Sequence, residues 1–501
     1  MRNTIYPLVI LLISTYCLSA QTNQIKAFDQ YVEANREKFE VPGCALTIVK
    51  DGKVIFSKAY GIRGFSDREE ADTETIFGMM STTKATTAVA MAFLVDEGKV
   101  NWDDKVIDHL PEFQLSDPYI TSQLKVRDLF THNAGLGNAD FLWAYNDLSK
   151  KEILDQMRLA PMAYSFRGGF IYQNIMYLVA GQLIEKLSGM TWERFMTERL
   201  FQPLGMENTF PTIATSAQYQ NRSRSHFRIN EDIIEIEEMS ADLIGPAGSA
   251  WSTADDVGKW VQFMLDSAKV DGKAMLSAET YGEILKPHAI IPKEQFYPTA
   301  QLTKPHWMTY GLGWFQQDYR GDFLNFHTGS LAGRTAIVGL VPDKDFGFYF
   351  FGNLDHAELR HALMLKAIDV FVHEDDSRDW ATEIYELYHS NPPMMSDYIA
   401  NMEKSRAKNT KTTHSDLKSY AGTYRDPYYG TITIKEKDGA LHLRQSSQLS
   451  AKIEHWHYDV FSCQFPSLSF APPQLLSFEL NPLDNKVKGL DFDGTYFKKE
   501  D

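Results

Sequence analysis

Ser81 and Lys84 stand three residues apart in the stretch FGMMSTTKATTAVAMAFLVDEG, residues 77–98. On a helix, side chains at i and i+3 share one face. A serine hydroxyl is a weak nucleophile until a neighbouring base takes its proton. A lysine amine can be that base once burial or its neighbours lower its pKa from about 10.4. The chemistry open to this pair is acyl transfer through an ester on Ser81. The spacing alone decides little, because it recurs at Ser122 and Lys125, Ser405 and Lys408, and Ser415 and Lys418. The first pair differs in its setting. From Ala85 to Val95 only Thr86 and Thr87 are polar, so the helix is apolar on nearly every side and must be buried. Gly98 marks its stop. Its N-terminal end, with unpaired N–H groups and the positive end of the dipole, favours an oxyanion at Ser81.

Two further groups belong with this pair. Tyr172-Gln173-Asn174 lies directly before an apolar helix pattern over residues 174–188, and His327-Thr328-Gly329 ends the strand-like FLNFHTG and is followed by Ser330. Taken singly, each has an ordinary structural account: a packed aromatic, a helix N-cap, a histidine at a strand end. In this order and separation the three resemble the signature motifs of the serine β-lactamase and penicillin-binding-protein superfamily. The tyrosine that opens the second motif is similar to the branch holding class C β-lactamases, DD-carboxypeptidases and D-aminopeptidase-like enzymes. The resemblance covers roughly residues 30–372, supported by LFTHNAGL (129–136), PAGSAWSTADDV (246–257) and YGLGW (310–314).

The resemblance implies that Ser81 is the acylated nucleophile, Lys84 the group that activates it and Tyr172 a proton relay to the leaving group. It leaves open whether Lys84 or Tyr172 is the base. It further implies that Asn174 holds a substrate amide carbonyl, that Thr328 and Gly329 line the site, and that the backbone N–H groups of Ser81 and Ser330 form the oxyanion hole. The implied chemistry needs neither metal nor cofactor. One departure bears on substrate: β-lactamases usually carry lysine where this chain has His327, a side chain whose charge depends on its surroundings. The expectation is therefore a peptidase, amidase or esterase acting on small peptide, amide or ester substrates. The alternatives are a β-lactamase, and a non-catalytic protein of the same fold that binds cell-wall or glycan fragments.

These residues need a scaffold. Two strand patterns, ALTIVK and VIFSKAYG, flank Asp51-Gly52, a strong hairpin signal. A long helical section follows, in which KVRDLFTHNAGLGN (125–138) reads as a helix ending in a glycine-rich loop. Ser252 and Thr253 before Asp255 and Asp256 open another helix. FLNFHTG, TAIVGLVP and FGFYFFGN return as strands, and Ala357–Val372 reads as a closing helix. The fold class expected is α+β: a mostly antiparallel sheet flanked by helices, with an inserted all-helical subdomain, spanning residues 21–373. Residues 374–415 read as a linker. Residues 416–501 read as a small all-β, barrel-like domain similar to the lipocalin-like domains that often follow such hydrolases.

Composition limits the partners. At 501 residues and 44% apolar content the chain exceeds one ordinary domain. A net charge of −16 argues against nucleic acid, which needs a basic stripe; the sequence allows a homo-oligomer. Residues 1–20, MRNTIYPLVILLISTYCLSA, read as a cleavable secretory signal too short to span a bilayer, which implies a periplasmic or secreted protein with no transmembrane anchor. Beyond Cys17 only Cys44 and Cys463 remain, read as two buried free thiols. His455 and His457 share a strand face but read as packing residues rather than metal ligands.

Overall fold

The computed structural model describes residues 5–229, 232–389, 395–468 and 471–500. The secretory signal expected over residues 1–20 lies outside the residues whose side chains are described. The chain divides into two compact units: one of residues 1–100, 184–226 and 238–390, the other of residues 101–183, 227–237 and 391–501.

In the first unit the hairpin forms as read. Strands Gly43–Lys50 and Lys53–Gly61 flank Asp51 and Gly52, whose φ values of 52° and 71° suit the two-residue turn that matches strand twist. The full sheet has eight strands in the order Lys53–Gly61, Gly43–Lys50, Phe346–Gly352, Arg334–Val341, Asp322–Leu331, Phe315–Tyr319, Met308–Tyr310 and Ala289–Ile290. Every pairing is antiparallel. The N-terminal strand runs against the last one, Cys44 opposite Gly352.

Two of the central strands, Arg334–Val341 and Phe346–Gly352, are buried at every residue, which requires cover on both faces. Gly339 pairs with Phe348 and Leu340 with Gly347, so Gly339 and Gly347 face opposite sides. A Cβ on Gly339 would meet Met364, and one on Gly347 would meet Val261. Helix Leu359–Val372 therefore covers one face and helix Ala254–Leu265 the other. Thr253 caps the latter by accepting the Asp256 N–H, as the sequence pattern implied.

The second unit carries short helices, among them Val106–His109, Pro118–Gln123, Phe141–Ala144 and Lys150–Met157. Over residues 125–138 the helix expected before the glycine-rich loop is only a 3₁₀ turn, Val126–Phe130, and the loop follows it. His132 and Gly135 take positive φ, 58° and 88°, which no α-helix continues through. After residue 415 eight strands close into a barrel, from Gly422–Asp426 to Thr495–Lys499, the first pairing with the last through Tyr424 and Lys499. Its interior is filled by side chains including Tyr420, Tyr424, Leu443, Phe461, Leu476 and Phe478. The stretch read as a linker contains helices Trp380–His389 and Met395–Ser405. The first is anchored by the buried indole of Trp380, which donates to Asp369 at 2.7 Å. Among the described residues no helix is long and apolar enough to cross a membrane. Cys44 and Cys463 are buried free thiols, and burial pushes both up to about 12.

Candidate active site

The setting of Ser81 is built by a two-residue strand pair, Phe77–Gly78 against Trp251–Ser252. This lays Pro246–Ala250 alongside residues 79–87. The Met79 N–H donates to the Ala250 carbonyl at 2.7 Å, and Thr87 donates to the Pro246 carbonyl at 2.8 Å. Ser81 sits in a 3₁₀ turn, Met80–Thr82, that runs into helix Thr83–Asp96. It thus precedes the first α-turn rather than lying in it. Met80 holds a φ of 45°, a left-handed conformation that costs a non-glycine residue about 1–2 kcal/mol. The surrounding packing holds it there, and the turn leaves the Ser81 side chain partly exposed.

Lys84 has no exposed surface. Its Nζ lies 3.1 Å from Ser81 Oγ and donates to the Ala247 carbonyl at 2.8 Å. The amine is thus held between the Ala247 carbonyl and the Ser81 hydroxyl.

The third motif abuts the same turn. A Cβ on Gly329 would stand 2.6 Å from the Met79 carbonyl oxygen and 3.1 Å from the Ser81 nitrogen, so only glycine lets strand Asp322–Leu331 approach this closely. His327 is fully buried. Its Nδ1 donates to the Thr328 carbonyl at 2.6 Å, which leaves Nε2 to accept from the Tyr310 hydroxyl at 2.8 Å. Burial first, then the nearby Lys84 charge, push the imidazole down to about 3. His327 is neutral across the physiological range. The Tyr297 hydroxyl sits 2.6 Å from Thr328 Oγ1. Behind the strand, Arg360 donates to the Gly329 carbonyl at 2.6 Å and to Ser330 Oγ at 2.8 Å. Arg360 is itself paired with buried Glu358 at 3.1 Å. Burial alone would raise the Glu358 carboxyl, but Arg360 and His361 outweigh it and hold the group well below the usual carboxylate range.

Tyr172 and Asn174 belong to the second unit. The Tyr172 ring lies against the His132 imidazole, centroids 4.3 Å apart. The glycine-rich loop over 131–137 makes this contact: His132 Nδ1 accepts the Gln173 N–H at 3.0 Å, and the Gln173 amide donates to the carbonyls of Leu136 and Gly137 at 2.9 and 2.7 Å. Asn174 donates through Nδ2 to both carboxylate oxygens of Asp140, each at 3.0 Å.

A family model described as Beta-lactamase matches residues 28–371, well over half of the chain. The chain belongs to the Beta-lactamase family. This is a family of serine hydrolases. A second model, a domain of unknown function (DUF3471), matches residues 406–500. Unguisins hydrolase ungD of Aspergillus violaceofuscus is 24% identical over 491 residues, covering 91% of this chain and 85% of that protein. Protein flp of Staphylococcus aureus is 23% identical and covers 65% of this chain and 62% of its own length. Among solved structures, the octameric penicillin-binding protein homologue from Pyrococcus abyssi aligns with a TM-score of 0.61 at 20% identity, covering 95% of this chain and all of that one. SurE aligns at 0.57 and 18%, covering 96% of this chain and all of that one. At these identities the structures speak for the fold alone.

Within this Beta-lactamase-family framework, several neighbours of the motifs carry no signature of their own. Ala247, Tyr310 and His132 lie in stretches whose resemblance was legible, yet nothing in the sequence tells that Ala247 offers its carbonyl to Lys84 or that Tyr310 caps His327. Arg360 left only an ambiguous signal: with Glu358, His361, Lys366 and Asp369 it is one of five titratable residues in the helix pattern over 357–372, and nothing there says which of them pair. Asp140 and Tyr297 had none.

Proposed function

We propose that this chain is an exported serine hydrolase that forms an acyl-enzyme on Ser81 and acts on small peptide, amide or ester substrates. The observation that carries the reading is the 3.1 Å approach of the buried Lys84 amine to Ser81 Oγ. The free amine takes the hydroxyl proton as Oγ attacks the substrate carbonyl. The N–H groups of Ser81 and Ser330 stabilise the oxyanion, Tyr172 relays the proton taken up by Lys84 to the leaving group, and water then hydrolyses the ester. Asn174 holds a substrate amide, while Thr328 and Gly329 line the acyl site. The neutral His327 and the pairing of Arg360 with Glu358 support a substrate whose recognition does not depend on a carboxylate, which favours this reading over a β-lactamase.

Intact-mass spectrometry after exposure to a fluorophosphonate is the test. The wild type should gain one adduct and the Ser81→Ala variant none. A folded wild-type protein that stays unlabelled and cleaves no phenyl ester refutes the reading. Fast penicillin turnover without a lasting adduct would instead promote the β-lactamase alternative.

A further inference from the structure

Asp140, the partner of Asn174, directly precedes Phe141, and Phe141 is where the C-terminal barrel touches the helical segment of its own unit. The Tyr429 ring stacks on Phe141 with centroids 4.2 Å apart and planes at 29°, and the Tyr428 ring meets it edge-on at 4.9 Å and 84°. Both tyrosines sit on the tip between barrel strands Gly422–Asp426 and Gly430–Lys437. The tip is fixed from within, because the Asp426 carboxylate accepts the N–H groups of Tyr428 and Tyr429 at 2.8 and 2.6 Å.

The contact extends past the rings. A Cβ on Gly430 would stand 3.2 Å from Asn146 Oδ1, and Asn146 donates to the Phe141 carbonyl at 3.0 Å. Ser447, on another barrel loop, donates its N–H and hydroxyl to Asp147 at 2.8 and 2.6 Å. Residues 141–147 are thus gripped by two barrel loops. At the other end of this short segment, Asp140 holds Asn174 with both oxygens and also accepts the Trp143 indole N–H at 2.9 Å.

We propose that Tyr429 is a positioning residue for Asn174: its stack on Phe141 fixes the backbone that carries Asp140, and Asp140 fixes the rotation of the Asn174 carboxamide. The barrel thereby sets how well the enzyme holds the amide of its substrate. Aromatic stacking of this kind is worth more than its buried area, and small misplacements of substrate-holding groups cost rate steeply. The inference rests on Asn174 holding a substrate amide in the proposed hydrolase.

The test uses full-length protein and two esters with one leaving group, phenyl acetate and phenyl N-acetylglycinate, of which only the second offers an amide. In Tyr429→Ala, kcat/KM for the N-acetylglycinate should fall by about tenfold or more while that for phenyl acetate moves less than about threefold. Tyr429→Phe should behave as wild type on both. On the N-acetylglycinate, Asn174→Ala/Tyr429→Ala should be no worse than Asn174→Ala, since the effect passes through Asn174. Equal losses on both esters, no loss on either, or additive losses in the double variant would overturn the proposal. Hydrogen exchange across residues 138–147 reads the contact without turnover: it should rise in Tyr429→Ala and not in Tyr429→Phe, and unchanged exchange would also overturn it. Failure of the hydrolase reading is seen separately, as a wild type inert to both esters and to the fluorophosphonate.

Discussion

Gly329→Ala isolates the approach of the third motif to the turn that carries Ser81. Gly329 is absent from the residues with positive φ, so alanine fits its backbone and only space opposes the change. The added methyl would lie 2.6 Å from the Met79 carbonyl oxygen, backbone that cannot swing aside as a side chain could. Restoring an ordinary contact of 3.4 Å requires the strand and the turn to part by about 0.8 Å. That gap opens between the two backbone donors proposed for the oxyanion, Ser81 N–H and Ser330 N–H. Misplacement of about 1 Å costs on the order of a hundredfold in rate, and loss of one oxyanion donor costs about 10²–10³. The expected fall in kcat/KM is therefore about a hundredfold, or roughly 2.7 kcal/mol of transition-state stabilisation. Overpacking should cost stability by only about 1–3 kcal/mol, leaving the fold intact. The assay is phenyl ester hydrolysis beside the rate of fluorophosphonate labelling, with circular dichroism as the check on folding. Gly282→Ala is the control, because a Cβ there meets nothing within 4 Å. Activity of folded Gly329→Ala within about threefold of wild type would refute the reasoning.

His327 should make the protein acid-sensitive in a defined window. Its folded pKa, about 3, lies below its ordinary value of 6.5, so its contribution to stability is present above 6.5 and lost progressively as pH falls toward 3. Between pH 7 and 5 wild type should lose about 2 kcal/mol more than His327→Gln in urea unfolding, and equal losses would contradict the neutral, buried imidazole. Arg360→Ala strands the Glu358 carboxylate and should destabilise by about 3–5 kcal/mol. Glu358→Gln/Arg360→Met should recover at least half of that by the same measurement, and a single variant within about 1 kcal/mol of wild type would show the pair to be unimportant.

Much of the fold was legible because its signals are local. The Asp51-Gly52 turn, the Thr253 cap and the mostly apolar helix after Lys84 each follow from short-range chemistry. Over 125–138 the glycine-rich loop was legible but the helix before it was not, because only the single 3₁₀ turn Val126–Phe130 forms before His132 takes a positive φ. Ser81, Lys84, Tyr172, Asn174 and His327 were singled out through their motifs. Their partners were not, because Ala247, Tyr310, Arg360 and Asp140 act through contacts between distant parts of the sequence, and an alanine that matters for its carbonyl leaves no mark of residue type.

The pairing of Cys44 with Gly352 also says something about how this molecule comes into being. The hairpin that opens the sheet is made early in synthesis, yet the strand that covers its inner edge is translated roughly 300 residues later. Until then the strand Gly43–Lys50 presents unpaired amides and carbonyls along an apolar segment, the kind of edge that recruits another chain. Such long-range pairing is slow to form, since loop closure precedes any reward from contact. The hydrolase region therefore cannot complete its sheet as it emerges from the ribosome. In the exported hydrolase proposed above, that delay would keep the chain threadable until its last central strand arrives.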